Sequence, residues 1–220
     1  MAADRIQAIF FDLDNTLCDV EGSFAERYKA GISALIQRDD RWTEEELLRR
    51  TIAMDRSRGR LSSLLLELGV NDSEAGRAAL DAENEVLFSK LQLFPQIRES
   101  LDVLSQHYVL GIITNGSVAQ QMRKLIDLKL ERFFSIIIID ERIGISKPNA
   151  KIFEEAIVQA GCEPRQAIHV GDQWDVDVLG ANSAGLHAVW INRSGLERPR
   201  FGQAKFVLRS AAELPEALGL

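Results

Sequence analysis

Asp12 and Asp14 stand two positions apart in the stretch AIFFDLDNTLC, with Asn15 and Thr16 directly after them. The residues before them, Ala8 to Phe11, form a short apolar run, the pattern of a buried strand bounded by turn residues. If strand geometry persists past Phe11, the two carboxylates point to the same side, because side chains alternate along a strand. Such a pair repels itself and is poorly solvated, so it is costly unless a cation or a shared proton compensates. Catalytic and metal sites are often built this way. On this stretch alone a second reading is equally open, that of two solvated turn residues, since Asp is common after strands.

Three more polar stretches add to the set. Thr114-Asn115-Gly116 ends the apolar run 108–114. Ser146-Lys147-Pro148 lies in the loop 140–148 after the apolar, β-branched run 133–139. Gly171–Asp177 (GDQWDVD) follows the short apolar run 167–170. Helical patterns at 97–105, 120–130, 151–160 and 177–184, and a last strand at 187–191, alternate with these runs. That alternation calls for right-handed βαβ units: an α/β fold with a Rossmann-like parallel sheet and helices on both faces. Ligands of a parallel sheet bind beyond the carboxyl ends of its strands, where all four polar stretches fall. They supply a nucleophile, hydroxyl and amide donors, a cation and further carboxylates. This set suits phosphoryl transfer, which depends on positioning and neutralised charge. An oxygen-liganded Mg2+ would relieve repulsion among Asp12, Asp14, Asp172 and nearby acids. One carboxylate could form an aspartyl-phosphate while a second gives and takes the proton.

The four stretches resemble the ordered motifs of the haloacid dehalogenase superfamily: DLDNT at 12–16, IITNG at 112–116, SKP at 146–148 and GDQWDVD at 171–177. Four motifs in order are specific where one alone is weak. The resemblance implies Asp12 as nucleophile and metal ligand, and Asp14 as general acid/base with its backbone carbonyl on Mg2+. It implies Thr114 and the Asn115 amide as phosphate binders, and Lys147 as the cation holding Asp12 and phosphate in place. Asp172 would ligate Mg2+, and Asp177 would ligate it or its waters. It also implies that the first strand lies between those carrying Thr114 and Asp172. One departure is Val176, where a polar residue is common in the family, which leaves Asp175 as a rival to Asp177. The close-packing sequence Leu179-Gly180-Ala181 after it favours Asp177.

Between the first and second strands the texture is different. Residues 20–89 are rich in Glu, Arg, Leu and Ala and contain no proline. Thr43 followed by three Glu, and Asn71–Glu74, look like helix caps; Leu61, Leu64, Leu65 and Leu68 recur at helical spacing until Gly69. A bundle of about four helices is expected, inserted into the α/β domain, and it resembles the C1-type cap of the same superfamily. The predicted division is a catalytic core at 1–17 and 92–220 and a cap at 18–91.

The chain has 220 residues, 46% hydrophobic, and a net charge of −7. Length and composition allow a sizeable core, and the acidic balance argues against nucleic acid as partner. With only Cys18 and Cys162, free thiols are expected. The start MAADRIQAIF does not read as a signal peptide and no apolar run has membrane-spanning length, so a cytoplasmic protein without membrane contact is expected. Among the remaining polar residues, His169 is expected in the core, and His107 and His187 as structural or exposed. Trp174 is expected either at the site entrance or packed. Arg56, Arg58 and Arg60 are expected on a solvated face unless one reads a substrate anion.

The expected function is a Mg2+-dependent phosphatase. Its partner would be a small phosphorylated metabolite, of the sugar phosphate or nucleoside monophosphate class, with the chain as monomer or homodimer. A phosphoglycomutase-type phosphotransferase keeps the same core. A haloacid dehalogenase fits less well because Asp14 is present, and a catalytically silent binding or regulatory protein would not need the full acid set.

Overall fold

The computed structural model describes residues 5–54 and 60–220. They divide into two compact units: the residues through Asp19 together with Gln92–Leu220, and Val20–Leu91. The first unit is built on strands β1 (Ala8–Phe11), β2 (Cys18–Asp19), β3 (Gln92–Leu93), β4 (Val109–Thr114), β5 (Ile136–Ile139), β6 (Ala167–Gly171), β7 (His187–Ile191) and β8 (Phe206–Leu208). Six of them form one sheet in the order β5-β4-β1-β6-β7-β8, all neighbours parallel. β1 thus lies between β4 and β6, and its four residues AIFF are all buried, as a central parallel strand covered on both faces requires. β2 and β3 form a separate antiparallel ribbon with Asp19 opposite Gln92. Cys18 and Asp19, expected in the helical block, are therefore held with the sheet unit. Both cysteines are free thiols, Cys18 buried and Cys162 half-buried.

The second unit holds α1 (Phe24–Ile36), α2 (Glu44–Ala53), α3 (Arg60–Glu67) and α4 (Glu74–Lys90). Thr43 caps α2 by accepting from the Glu46 amide at 3.3 Å, and Ser73 caps α4 by accepting from the Gly76 amide at 3.0 Å. Tyr28, Ile32, Leu35, Leu47, Leu61, Leu64 and Leu65 form its own core. α1 meets α4 closely at Gly31, where an added Cβ would lie 2.5 Å from Leu61 Cδ2 and 2.9 Å from the Ala79 carbonyl oxygen. Arg56 and Arg58 lie outside the described residues. Arg60 is not on a solvated face: it is buried, with its guanidinium 4.5 Å from the Phe24 ring centroid.

The helices of the sheet unit are α5 (Ile97–Leu104), α6 (Val118–Asp127), α7 (Asp140–Ile143), α8 (Ala150–Ala160), α9 (Leu179–Ser183) and α10 (Leu214–Ala217). β5 is shorter than the expected run 133–139 because Glu131–Phe133 forms a helical turn that packs Phe133 and Phe134 inward. The expected loop 140–148 begins as α7, closed by Gly144 in the left-handed region at φ 71°. The helix expected at 177–184 opens instead with a widened π-type turn, Trp174–Val178, before α9. Such turns re-aim side chains and are frequent at functional sites. Phe10, Ile113, Ile138, Ile152, Phe153 and Trp174 belong to the core beneath these loops. Among the described residues, no helix is long and apolar enough to cross a membrane.

Candidate active site

Beyond Phe11 the strand geometry does not persist. The chain coils, with the Leu17 amide donating to the Leu13 carbonyl at 3.0 Å and Asn15 at φ 58°. Asp12 and Asp14 therefore have separate surroundings rather than forming a single ligand pair. Asp12 Oδ1 accepts from Lys147 Nζ at 2.7 Å and Oδ2 from the Thr16 hydroxyl at 3.2 Å. Asp14 instead meets Lys124, whose Nζ lies 2.8 and 2.6 Å from its two carboxylate oxygens.

Lys147 reaches the centre of the site because two loops are stitched together. Asn115 donates from Nδ2 to the Lys147 carbonyl at 3.0 Å, and the Lys147 amide donates to Asn115 Oδ1 at 2.9 Å. Asp140 straps the same loops from outside, accepting from the Gly116 amide and the Ser146 hydroxyl, each at 2.7 Å. Lys147 Nζ also donates to Asp177 Oδ1 at 2.7 Å. Asp177 is brought there by the widened turn, and it lies flat against the end of β6. An added Cβ on Gly171 would sit 2.2 Å from Asp177 Cγ, so only glycine leaves that space. His169 Nε2 lies 3.0 Å from Asp177 Oδ1, and the Gln173 amide donates to Oδ2 at 3.0 Å. Both Asp177 oxygens are thus engaged by protein donors, and its contacts make it chiefly a partner of Lys147. Asp172 differs: its Oδ1 is buried with no hydrogen-bond partner.

The charges explain the titration directions. Burial above all pushes the Asp12 carboxyl up to about 7, against the pull of Lys147 and with help from Asp177 and Asp14. Burial, then the charges of Asp12 and Asp177, push Asp172 up to about 8. Burial also works against Asp177, but Lys147 and His169 overcome it and hold its carboxyl well below the usual range. Burial opposes the Lys147 charge as well, and Asp12 and Asp177 overcome it, so its pKa lies above the ordinary lysine value. Burial lowers the pKa of His169. Three carboxylates thus face one ammonium.

One ligand atom from each of Asp12, Asp172 and Asp177 lies within 4.8 Å of the others. An all-oxygen donor set with surplus negative charge and an orphaned Asp172 oxygen fits a hard divalent cation. The Asp14 carboxylate is not in this group. Thr114 is buried at the end of β4, its hydroxyl accepting from Gln121 Nε2 at 2.6 Å. Trp174 is packed, donating through Nε1 to the Phe201 carbonyl at 2.8 Å. Asp175 enters none of these contacts.

A family model described as haloacid dehalogenase-like hydrolase matches residues 9–191. The chain is a haloacid dehalogenase-like hydrolase. This hydrolase is 34% identical over 202 residues to a protein named glyceraldehyde 3-phosphate phosphatase from Methanothermobacter thermautotrophicus, covering 89% of each chain. It is 31% identical over 219 residues to pyrimidine 5′-nucleotidase YjjG of Escherichia coli, covering 96% of each. Its fold matches the crystal structure of a HAD phosphatase from Thermococcus onnurineus with TM-score 0.78 and 29% identity, over 97% of this chain and 98% of that one.

Sequence reasoning missed Lys124, Gln121 and Arg193, and it placed His169 in the core without its bond to Asp177. Arg193, after β7, donates to the backbone oxygens of Asn15 and Thr16 and lies 3.5 Å from the Phe94 ring centroid, bracing the turn that carries Asp14. The buried face of α6 is Gln121, Lys124 and Leu125, continued by Leu128 just past the helix end. A glutamine and a lysine on a face completed by two leucines were the available signal.

Proposed function

We propose that this hydrolase is a Mg2+-dependent phosphatase acting on a small phosphate monoester, of the sugar phosphate or nucleoside monophosphate class, through a phosphoenzyme on Asp12. The convergence of Asp12, Asp172 and Asp177 on Lys147, with one Asp172 oxygen unpartnered, carries the reading. The names of the two relatives, a triose phosphate phosphatase and a nucleotidase, support the substrate class.

Asp12 and Asp172 would hold the cation, with Asp177 beside it. The cation would supply the charge neutralisation that lets a carboxylate approach an anionic phosphate. The chain's own groups do the rest. Lys147 fixes Asp12 and draws on a phosphate oxygen, while the Thr114 hydroxyl and Asn115 amide hold two others. An Asp12 oxygen attacks phosphorus, the bond from phosphorus to the ester oxygen breaks, and Asp14 gives that oxygen its proton. Asp14, now a carboxylate, takes a proton from water as the water oxygen attacks the acyl phosphate. Inorganic phosphate leaves and Asp12 is restored.

Mg2+-dependent release of phosphate from a generic aryl phosphate tests the reading. Asp12→Asn should lower turnover by ~10³-fold or more, and an unchanged rate would overturn the mechanism. A panel of phosphorylated metabolites then ranks sugar phosphates against nucleoside monophosphates.

A further inference from the structure

Lys124 is a buried charge that the chemistry above does not use. Its side chain is 4% exposed, and among the described residues the carboxylate in contact with its ammonium is that of Asp14. Burying a lysine is costly unless its charge is paired. An apolar side chain would complete the face that Leu125 and Leu128 begin. One turn earlier on α6, Gln121 is also buried. It donates through Nε2 to the Thr114 hydroxyl at 2.6 Å and to the Asn115 carbonyl at 2.9 Å, and it lies 3.5 Å from Asp14 Oδ2. Positions i and i+3 share a helix face, so one rigid element grips both the loop of Thr114 and the side chain of Asp14. Asp14 sits on an irregular turn with its side chain 30% exposed, and its two short contacts are those with Lys124, the one with Gln121 being longer.

We propose that Lys124 is a positioning residue for Asp14: it fixes that carboxylate relative to Thr114, with Gln121 as the tie between them. The group that must serve the leaving oxygen and then the water is thereby set at the place where phosphate is captured. Lys124 reaches the chemistry only through the Asp14 carboxylate it holds. The inference rests on the acid/base role proposed for Asp14.

The test compares Lys124→Met, Lys124→Arg, Asp14→Asn and the double variant Lys124→Met/Asp14→Asn, all assayed with Mg2+ and an aryl phosphate. Misplacing a reacting group by about 1 Å can cost ~10²-fold, so Lys124→Met should lower kcat by ~10- to 100-fold while KM stays within about a factor of 3. Phosphoenzyme should accumulate, as in Asp14→Asn. Lys124→Arg should recover most of the rate. The double variant should be no slower than Asp14→Asn, because the lysine acts only through that carboxylate. A folded Lys124→Met enzyme with unchanged kcat overturns the inference, and so does a double-variant loss equal to the product of the single losses. If Lys124→Met does not fold, Lys124→Gln carries the same comparison. An Asp14→Asn enzyme with normal turnover overturns the acid/base role and this inference together. An impaired Asp14→Asn beside a silent Lys124→Met overturns this inference alone.

Discussion

Asp12 and Asp172 hold their protons more tightly in the folded chain than in the unfolded one, with carboxyls near 7 and 8 against an ordinary 3.8. Their contribution to stability is therefore full below the ordinary carboxyl pKa and is lost as pH rises through 7 and 8. The metal-free protein should lose melting temperature between about pH 5 and pH 8, and Mg2+ should restore it, most of all at the upper end. A metal-free melting temperature that is flat or rising over that span would contradict the charge account. Asp172→Asn removes one buried negative charge while keeping the shape. It should flatten that slope and stabilise the metal-free protein at pH 8 by roughly 1–2 kcal/mol, or about 2–4 °C per kcal/mol at this length. It should also abolish phosphate release. This is a trade of stability for function at one residue, and a variant both active and unshifted in melting would refute it.

Among the elements, the turn after β6 depends on the absence of a side chain at Gly171. Gly171→Ala would drive a Cβ into Asp177 and displace the partner of Lys147. Phosphate release should fall by ~10-fold or more and stability by about 1–3 kcal/mol, read by steady-state kinetics and thermal melting. In the helical unit, Gly31→Ala presses Leu61 and the Ala79 carbonyl and should destabilise that unit by a similar ~1–3 kcal/mol. The longer elements were legible because their patterns are local. AIFF is a fully buried strand in any parallel sheet, and Thr43 and Ser73 announce the helices they cap. β8 escaped because three residues, none of them buried, carry no hydrophobic period, and the ribbon of β2 and β3 because two residues per strand carry none. At the site, the types and order of the polar stretches and the meeting of Asp12, Lys147, Asp172 and Asp177 were legible, and the separate surroundings of Asp14 were not. The coil after Phe11 turns Asp14 toward α6, and no alternation rule describes a coil. Gln121 and Lys124 fall inside the helical pattern expected at 120–130, and their shared neighbour Asp14 lies 107 and 110 residues away in the chain.

At the scale of the whole molecule, the sheet unit is chain-discontinuous, and the ribbon of β2 and β3 brings the two ends together with Asp19 opposite Gln92. Replacing residues 20–91 by a two-residue Asn-Gly turn, the connection an antiparallel pair favours, should leave a folded sheet unit. Circular dichroism and a single melting transition check this. The shortened protein should retain Mg2+-dependent cleavage of an aryl phosphate, because Asp12, Asp14, Lys147, Asp172 and Asp177 all lie in the sheet unit. Failure to fold would mean that the helical unit contributes to the sheet's stability. The central claim, that Asp12 itself carries the phosphoryl group, is tested most directly by mass spectrometry. Asp14→Asn enzyme is quenched in acid during turnover of an aryl phosphate with Mg2+ and digested. The account predicts a phosphoryl group on Asp12 in the peptide that spans the substituted position, absent when Mg2+ is removed. Turnover with that peptide unmodified, or the phosphoryl group on another residue, would contradict it.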